Sequence, residues 1–231
     1  MTAVRYVSLL LTLQLAAGCS QQAEAPPVEQ SKPSVGQAAA QPQADERLVL
    51  AFGDSLYAGY GVARKDSFPA ALERELEAGG IPAKVVNAGV SGDTTAGGRA
   101  RLNFTLDGLE RTPDLAVVGL GANDALRGLD PAQTRANLDA ILAELKRRGI
   151  PVVLTGMMAP RNMDSVYFRS FDSIYPDLAE KYDAALDPFL MAGVITDQGL
   201  LLDDGLHPNA AGIRKMAERV TPLAKERLAK D

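Results

Sequence analysis

The run Leu48-Val49-Leu50-Ala51-Phe52-Gly53-Asp54-Ser55-Leu56 decides the fold of this chain. Its first five residues are apolar without a break. An apolar run that stops at Gly-Asp-Ser predicts a buried strand that delivers a serine into a tight loop at its carboxyl end. Sites in open α/β sheets collect at that end of the strands. Ser55 is therefore a candidate nucleophile, but a serine hydroxyl is weak until a base activates it. The chain of 231 residues holds a single histidine, His207. That residue must serve Ser55, or the serine has no imidazole partner.

Working outward from this run, apolar strands alternate with amphipathic helices. Strands are expected at Arg47–Phe52, Lys84–Ala88, Leu115–Leu120 and Pro151–Thr155, with a short one near Val194-Ile195. Ser67-Phe68-Pro69 opens a helix with Leu72 and Leu76 on its core face, and Gly79-Gly80 stops it. A second helix covers Thr95–Glu110, weakened at its first turn by Gly97-Gly98. Asp130-Pro131 starts a third, with Leu138, Ile141, Leu142 and Leu145 as its apolar stripe. An irregular stretch from Gly156 to Tyr175, a helix near Pro176–Leu186 and a final helix to Leu228 complete the pattern. Strand–helix alternation predicts βαβ units with a parallel sheet and helices on both faces. Right-handed crossovers then place the loops Gly53–Leu56, Ser91–Thr94 and Gly121–Asp124 on one rim.

The amino terminus reads as an address. Arg5 precedes an apolar segment from Val7 to Ala17. It is too short to span a bilayer, which takes about 20 residues, and has the length of a signal-peptide core. It ends in Leu15-Ala16-Ala17-Gly18-Cys19, which resembles the bacterial lipobox, although leucine stands one place further from the cysteine than is usual. The resemblance implies a signal peptide over residues 1–18 and lipidation of Cys19. Residues 19–44 are rich in Ala, Gln and Pro without aromatics, and are expected to form a disordered tether. The folded domain is expected over residues 45–231.

Composition narrows the function. The net charge of -5 and the lack of a basic cluster argue against nucleic acid as a partner. One cysteine and one histidine cannot build a zinc site from those residue types, and no internal disulfide is possible. Neither a metal nor another cofactor is expected. The glycine loops fit nucleotide binding poorly as well: there is no Gly-x-x-x-x-Gly-Lys-[Ser/Thr], and Gly59-Tyr60-Gly61-Val62-Ala63-Arg64 lacks the third glycine of the dinucleotide fingerprint.

Asp204 precedes His207 by three residues, a spacing that lets a carboxylate fold back to the imidazole and fix its tautomer. Taken together, Gly53-Asp54-Ser55-Leu56, Gly92, Gly121-Ala122-Asn123-Asp124 and Asp204-Gly205-Leu206-His207 resemble, in order, the four blocks of the SGNH (GDSL) hydrolases. The resemblance spans residues 47–228. It is nearest to the periplasmic acyl-CoA thioesterase, lysophospholipase and arylesterase branch of Gram-negative bacteria. It implies a three-layer α/β/α sandwich, flavodoxin-like, with a mainly parallel sheet of about five strands. It further implies Ser55 as nucleophile, His207 as base and Asp204 as its orienting acid, with Asp203 the runner-up. Oxyanion donors would be the backbone N–H groups of Ser55 and Gly92 and the side-chain amide of Asn123, with Gly89 the alternative glycine. Asp54 and Asp124 would build loops.

The implied activity is hydrolysis of carboxylic acyl esters, and of acyl thioesters, by a monomer held by its lipid at the periplasmic face of an outer membrane. The partner is then a small-molecule or lipid ester. Two other readings compete: an O-acetyl esterase acting on envelope polysaccharide, and a non-catalytic envelope-binding lipoprotein. Met157, Met158, Met163, Tyr167, Phe168 and Phe171 suit either an acyl pocket or a loop pinned to the core.

Overall fold

The structure, a computed structural model, describes residues 46–229. The signal peptide, Cys19 and the tether lie outside the described residues. Five strands form one parallel sheet in the order β2-β1-β3-β4-β5. They are β1 (Arg47–Gly53), β2 (Ala83–Gly89), β3 (Leu115–Gly119), β4 (Val152–Thr155) and β5 (Ala185–Asp187). This is the flavodoxin-like order. Each central strand feeds both layers of core, because its side chains alternate. Val49 and Ala51 of β1 pack with α2 (Phe68–Ala78) and α8 (Ala210–Leu228). Leu50 and Phe52 pack on the opposite face with α3 (Thr95–Asp107), α5 (Pro131–Arg147) and α7 (Ile174–Tyr182). β1 and β3, buried on both faces, are for that reason nearly continuous apolar runs.

Two expectations about the chain after β4 need correction. The stretch 156–175 is not irregular throughout: α6 (Ser165–Asp172) lies within it. Asp164 caps this helix by accepting from the N–H groups of Val166 and Tyr167, so an Asx cap was the signal for it. The fifth strand lies at Ala185–Asp187 and not at Val194-Ile195. α7 ends early because Asp183 takes a left-handed conformation with φ 52°, which frees the next residues to pair with β4. Val194 and Ile195 instead both donate their N–H to the Met191 carbonyl in a turn, and Val194 is buried. Their β-branched side chains serve packing there, not a ladder.

Two short helices, α1 (Ser55–Ala58) and α4 (Ala122–Leu126), open directly after β1 and β3. Parallel pairing aligns Gly53 with Gly89 and with Gly119. The loops that follow these three positions therefore leave the sheet at the same level, on its carboxyl edge.

Candidate active site

Ser55 is the first residue of α1. Asp54 caps that helix, accepting from the Leu56 N–H at 3.0 Å. Beneath it, the Tyr57 ring is fully buried and its hydroxyl meets Thr155 Oγ1 at 2.9 Å. Burial fixes the Ser55 backbone from below and leaves its side chain at the surface of the edge. The cost falls on Asp54, which is 1% exposed. Loss of water pushes its carboxyl up to about 7, against the Leu56 N–H and His207, which favour the charge.

His207 reaches this serine from the other end of the chain. Its Nε2 lies 3.0 Å from Ser55 Oγ, and its Nδ1 lies 2.6 Å from Asp204 Oδ2. The other oxygen of Asp204 accepts from the backbone N–H groups of Leu206 and His207, both at 2.9 Å. Those N–H groups, first that of His207, then Leu206, and then the imidazole hold the Asp204 carboxyl down to about 2. An ionised carboxylate only accepts, so Nδ1 carries the hydrogen. The neutral imidazole then presents a bare Nε2 to the Ser55 hydroxyl, which is the base's orientation. Asp203, the alternative acid, is exposed and takes no part in this chain of bonds.

Asn123 stands on α4 and lines the same cavity as Ser55 and His207. Its Nδ2 donates to the Asp93 carbonyl at 2.9 Å. One amide hydrogen is spent on orientation, and the second remains for a ligand. Gly92, next to Asp93, has φ +82°, so the left-handed backbone requires glycine. The nearest protein atom to a Cβ added there would be Arg127 Nη2 at 3.8 Å, so it is the backbone conformation and not contact with a protein neighbour that calls for glycine. Among the described residues, neither Gly92 N–H nor Ser55 N–H has a protein acceptor. The N–H of Gly89, the alternative glycine, is taken by Asn87 Oδ1 at 2.9 Å.

Bonds between segments tie these loops to one another. Buried Asp124 accepts from Thr95 N–H at 2.8 Å, from Thr95 Oγ1 at 2.5 Å and from Thr134 Oγ1 at 3.2 Å. It thereby ties the Asn123 loop to the start of α3 and to α5. Arg101 donates through Nε to Asp93 at 2.6 Å and through Nη2 to the Gly53 carbonyl at 2.9 Å, with its guanidinium over the Phe52 ring. One side chain thus joins the serine loop to the Gly92 loop. Arg127 Nη2 fixes the Gly92 carbonyl at 2.8 Å.

The cavity beside Ser55 has a volume of 430 Å³. Leu126, Met157, Met158, Phe189, Met191 and Ile195 line it together with Ser55, Asn123 and His207, so the site offers an apolar slot next to a polar cluster. The soft and aromatic residues of the 157–171 region divide between two tasks. Met157 and Met158 line the slot. Phe171 is fully buried between the rings of Tyr167 and Tyr175, and pins α6 to the body. The Tyr167 and Tyr175 hydroxyls bind the carbonyls of Leu129 and Leu120, each at 2.9 Å.

Comparison with known proteins shows the family. Residues 51–215 match the model of the GDSL-like Lipase/Acylhydrolase family. The chain is 42% identical over 178 residues to an arylesterase of Vibrio mimicus, covering 77% of this chain and 88% of that one. It is 39% identical over 166 residues to thioesterase 1/protease 1/lysophospholipase L1 of Escherichia coli K12, covering 72% and 76%. Among solved structures, AlinE4, described as a SGNH-hydrolase family esterase, superposes with TM-score 0.69 at 49% identity over 80% of this chain and 97% of that one.

Proposed function

This chain belongs to the GDSL-like lipase/acylhydrolase family and is a serine hydrolase acting on ester bonds, and from that premise we propose that Ser55 attacks the acyl carbon with His207 as its base. The bond that carries the reading is His207 Nε2 to Ser55 Oγ at 3.0 Å, with Asp204 behind it at 2.6 Å. As Oγ bonds to the carbonyl carbon, its proton passes to Nε2. The resulting imidazolium is stabilised by the Asp204 carboxylate, and the carbonyl oxygen gains the charge. Ser55 N–H, Gly92 N–H and the Asn123 amide receive that oxyanion. Collapse breaks the bond to the leaving alcohol or thiol, which takes the proton from His207. Water then repeats the sequence on the acyl-enzyme and releases the acid.

Acyl esters, with thioesters as a second class, fit the apolar slot. The O-acetyl reading gains nothing from it, since 430 Å³ falls in the range of about 300–1,000 Å³ usual for whole small-molecule sites. The non-catalytic reading has to leave the serine–imidazole–carboxylate bonds without a purpose. Anchoring through a lipid on Cys19, at the periplasmic face of a Gram-negative outer membrane, is part of the same proposal. It rests on the apolar segment that ends at the chain's single cysteine. Chain-length series of p-nitrophenyl esters, run beside lysophospholipid and acyl-CoA, test the substrate. Turnover rising beyond acetyl supports the reading, and a sharp acetyl preference overturns it. Labelled palmitate entering the wild type but not Cys19→Ala tests the anchor.

A further inference from the structure

The Gly59-Tyr60-Gly61 turn that fails as a nucleotide loop faces the imidazole instead. The Tyr60 ring lies 4.3 Å from the His207 ring, centroid to centroid, with 35° between their planes. Its backbone makes that approach by design of the turn. Gly59 and Gly61 have φ of 84° and 72°, and a Cβ on Gly59 would lie 2.7 Å from that of Ser67. Both flanking positions thus call for glycine. Tyr60 N–H donates to the Ser55 carbonyl at 3.2 Å, so the turn that carries the ring is bonded to the nucleophile's own peptide. Yet Tyr60 as a residue is 51% exposed. It has little of the packing that holds Tyr57 or Tyr175, and its ring partner is His207.

We propose that Tyr60 is a positioning residue: its ring face holds the His207 imidazole in the orientation that joins Ser55 to Asp204, and stabilises the imidazolium formed during acyl transfer. This rests on the reading of His207 as the base. Aromatic faces attract cations through the ring quadrupole, and the cation here exists only after Ser55 has given up its proton. The contact is therefore stronger in the transition state than before it, which is what accelerates a step. Among the described residues, the charged and titratable groups around this imidazole include Asp204 from its own loop, Asp54 beneath the serine, the Tyr60 phenol and Arg161 in the lining of the same cavity. Of these, Tyr60→Phe removes only the phenol, and Tyr60→Leu keeps an apolar cover while removing the ring.

The chain has one histidine, so proton NMR of the untagged full chain follows His207 alone. In the wild type the Tyr60 ring current displaces the imidazole resonances, and Tyr60→Leu should return them. The midpoint of their titration should fall by about half a pH unit in Tyr60→Leu, the size of an exposed cation–π contact. Tyr60→Phe should retain both properties. In turnover, Tyr60→Leu should lose roughly three- to tenfold in kcat with KM within about twofold, and Tyr60→Phe should restore the rate. A Leu variant that titrates like the wild type overturns the proposal. So does a Phe variant that behaves like Leu, or a loss confined to KM, which would make Tyr60 a substrate contact. The NMR titration needs no activity. An inactive wild type would therefore defeat the functional reading while the titration still decides the ring's role.

Discussion

The two halves of the site are built differently. The half that carries Ser55 and Asn123, on α1 and α4, stands on buried polar groups: Asp54 and Asp124 are each 1% exposed. Bonds between distant segments fix it, through Arg101, Thr95 and Thr134. The Asp204–His207 half is a surface turn. Asp204 is 38% exposed in its side chain, and its bonds run to residues two and three places on. A single antiparallel bridge, Leu201 with Pro208, closes the turn, and Arg219 pairs with buried Asp187 to seat α8 behind it. An attacking atom and oxyanion donors must agree in position across three loops, which needs long-range ties. An imidazole needs one partner on each nitrogen, and a local turn supplies one of them.

That contrast can be broken from either side. Asp204→Asn keeps the backbone acceptor but favours the wrong imidazole tautomer, so kcat should fall by about 10²–10⁴. The thermal midpoint should stay close to that of the wild type, because nothing buried is lost. Because Asp204 is held down to about 2 by backbone N–H groups and His207, it stays ionised through the neutral range. Loss of activity between pH 4 and 8 should therefore persist unchanged in Asp203→Ala and does not come from Asp204. Asn123→Ala removes one oxyanion donor and should cost about 10²–10³ in kcat, with little change in KM.

Asp124→Ala should show the reverse pattern. It strands three buried donors, so unfolding free energy should drop by about 2–4 kcal/mol, or roughly 10 °C in the thermal midpoint, while kcat falls about tenfold as the Asn123 loop loosens. If Asp124→Ala proved as stable as Asp204→Asn, the distinction between the halves would fail. A second test of the buried half is Asp54→Asn, read by thermal unfolding across pH. Burial raises the Asp54 carboxyl to about 7, so the native state binds more protons than the unfolded one between about 4 and 7. Stability from this group is present at low pH and is lost as pH rises through that window. Asn keeps the cap, so the variant should gain on the wild type as pH rises from 4 to 8, by at most a few kcal/mol.

The same contrast explains what could be read from the sequence. Ser55, at the end of an apolar run, and Asp204, three residues before the single histidine, are local patterns. The sheet followed from the alternation of buried strands with striped helices. The ties of Arg101 to Gly53 and of Asp124 to Thr95 and Thr134 join residues 48, 29 and 10 places apart. No periodicity encodes such pairs. β5 was misplaced for a related reason. Ala185-Leu186-Asp187 has no strand signal of its own and becomes a strand by pairing with β4, whereas Val194-Ile195 has the signal but is drawn into a turn.

The central claim, that Ser55 is the nucleophile and His207 its base, is met most directly by an active-site fluorophosphonate followed by mass spectrometry of the labelled peptide. The wild type should carry one adduct on Ser55, Ser55→Ala should carry none, and His207→Ala should label far more slowly. Stoichiometric labelling of Ser55→Ala, or labelling of Ser55 that is indifferent to the loss of His207, would contradict the account.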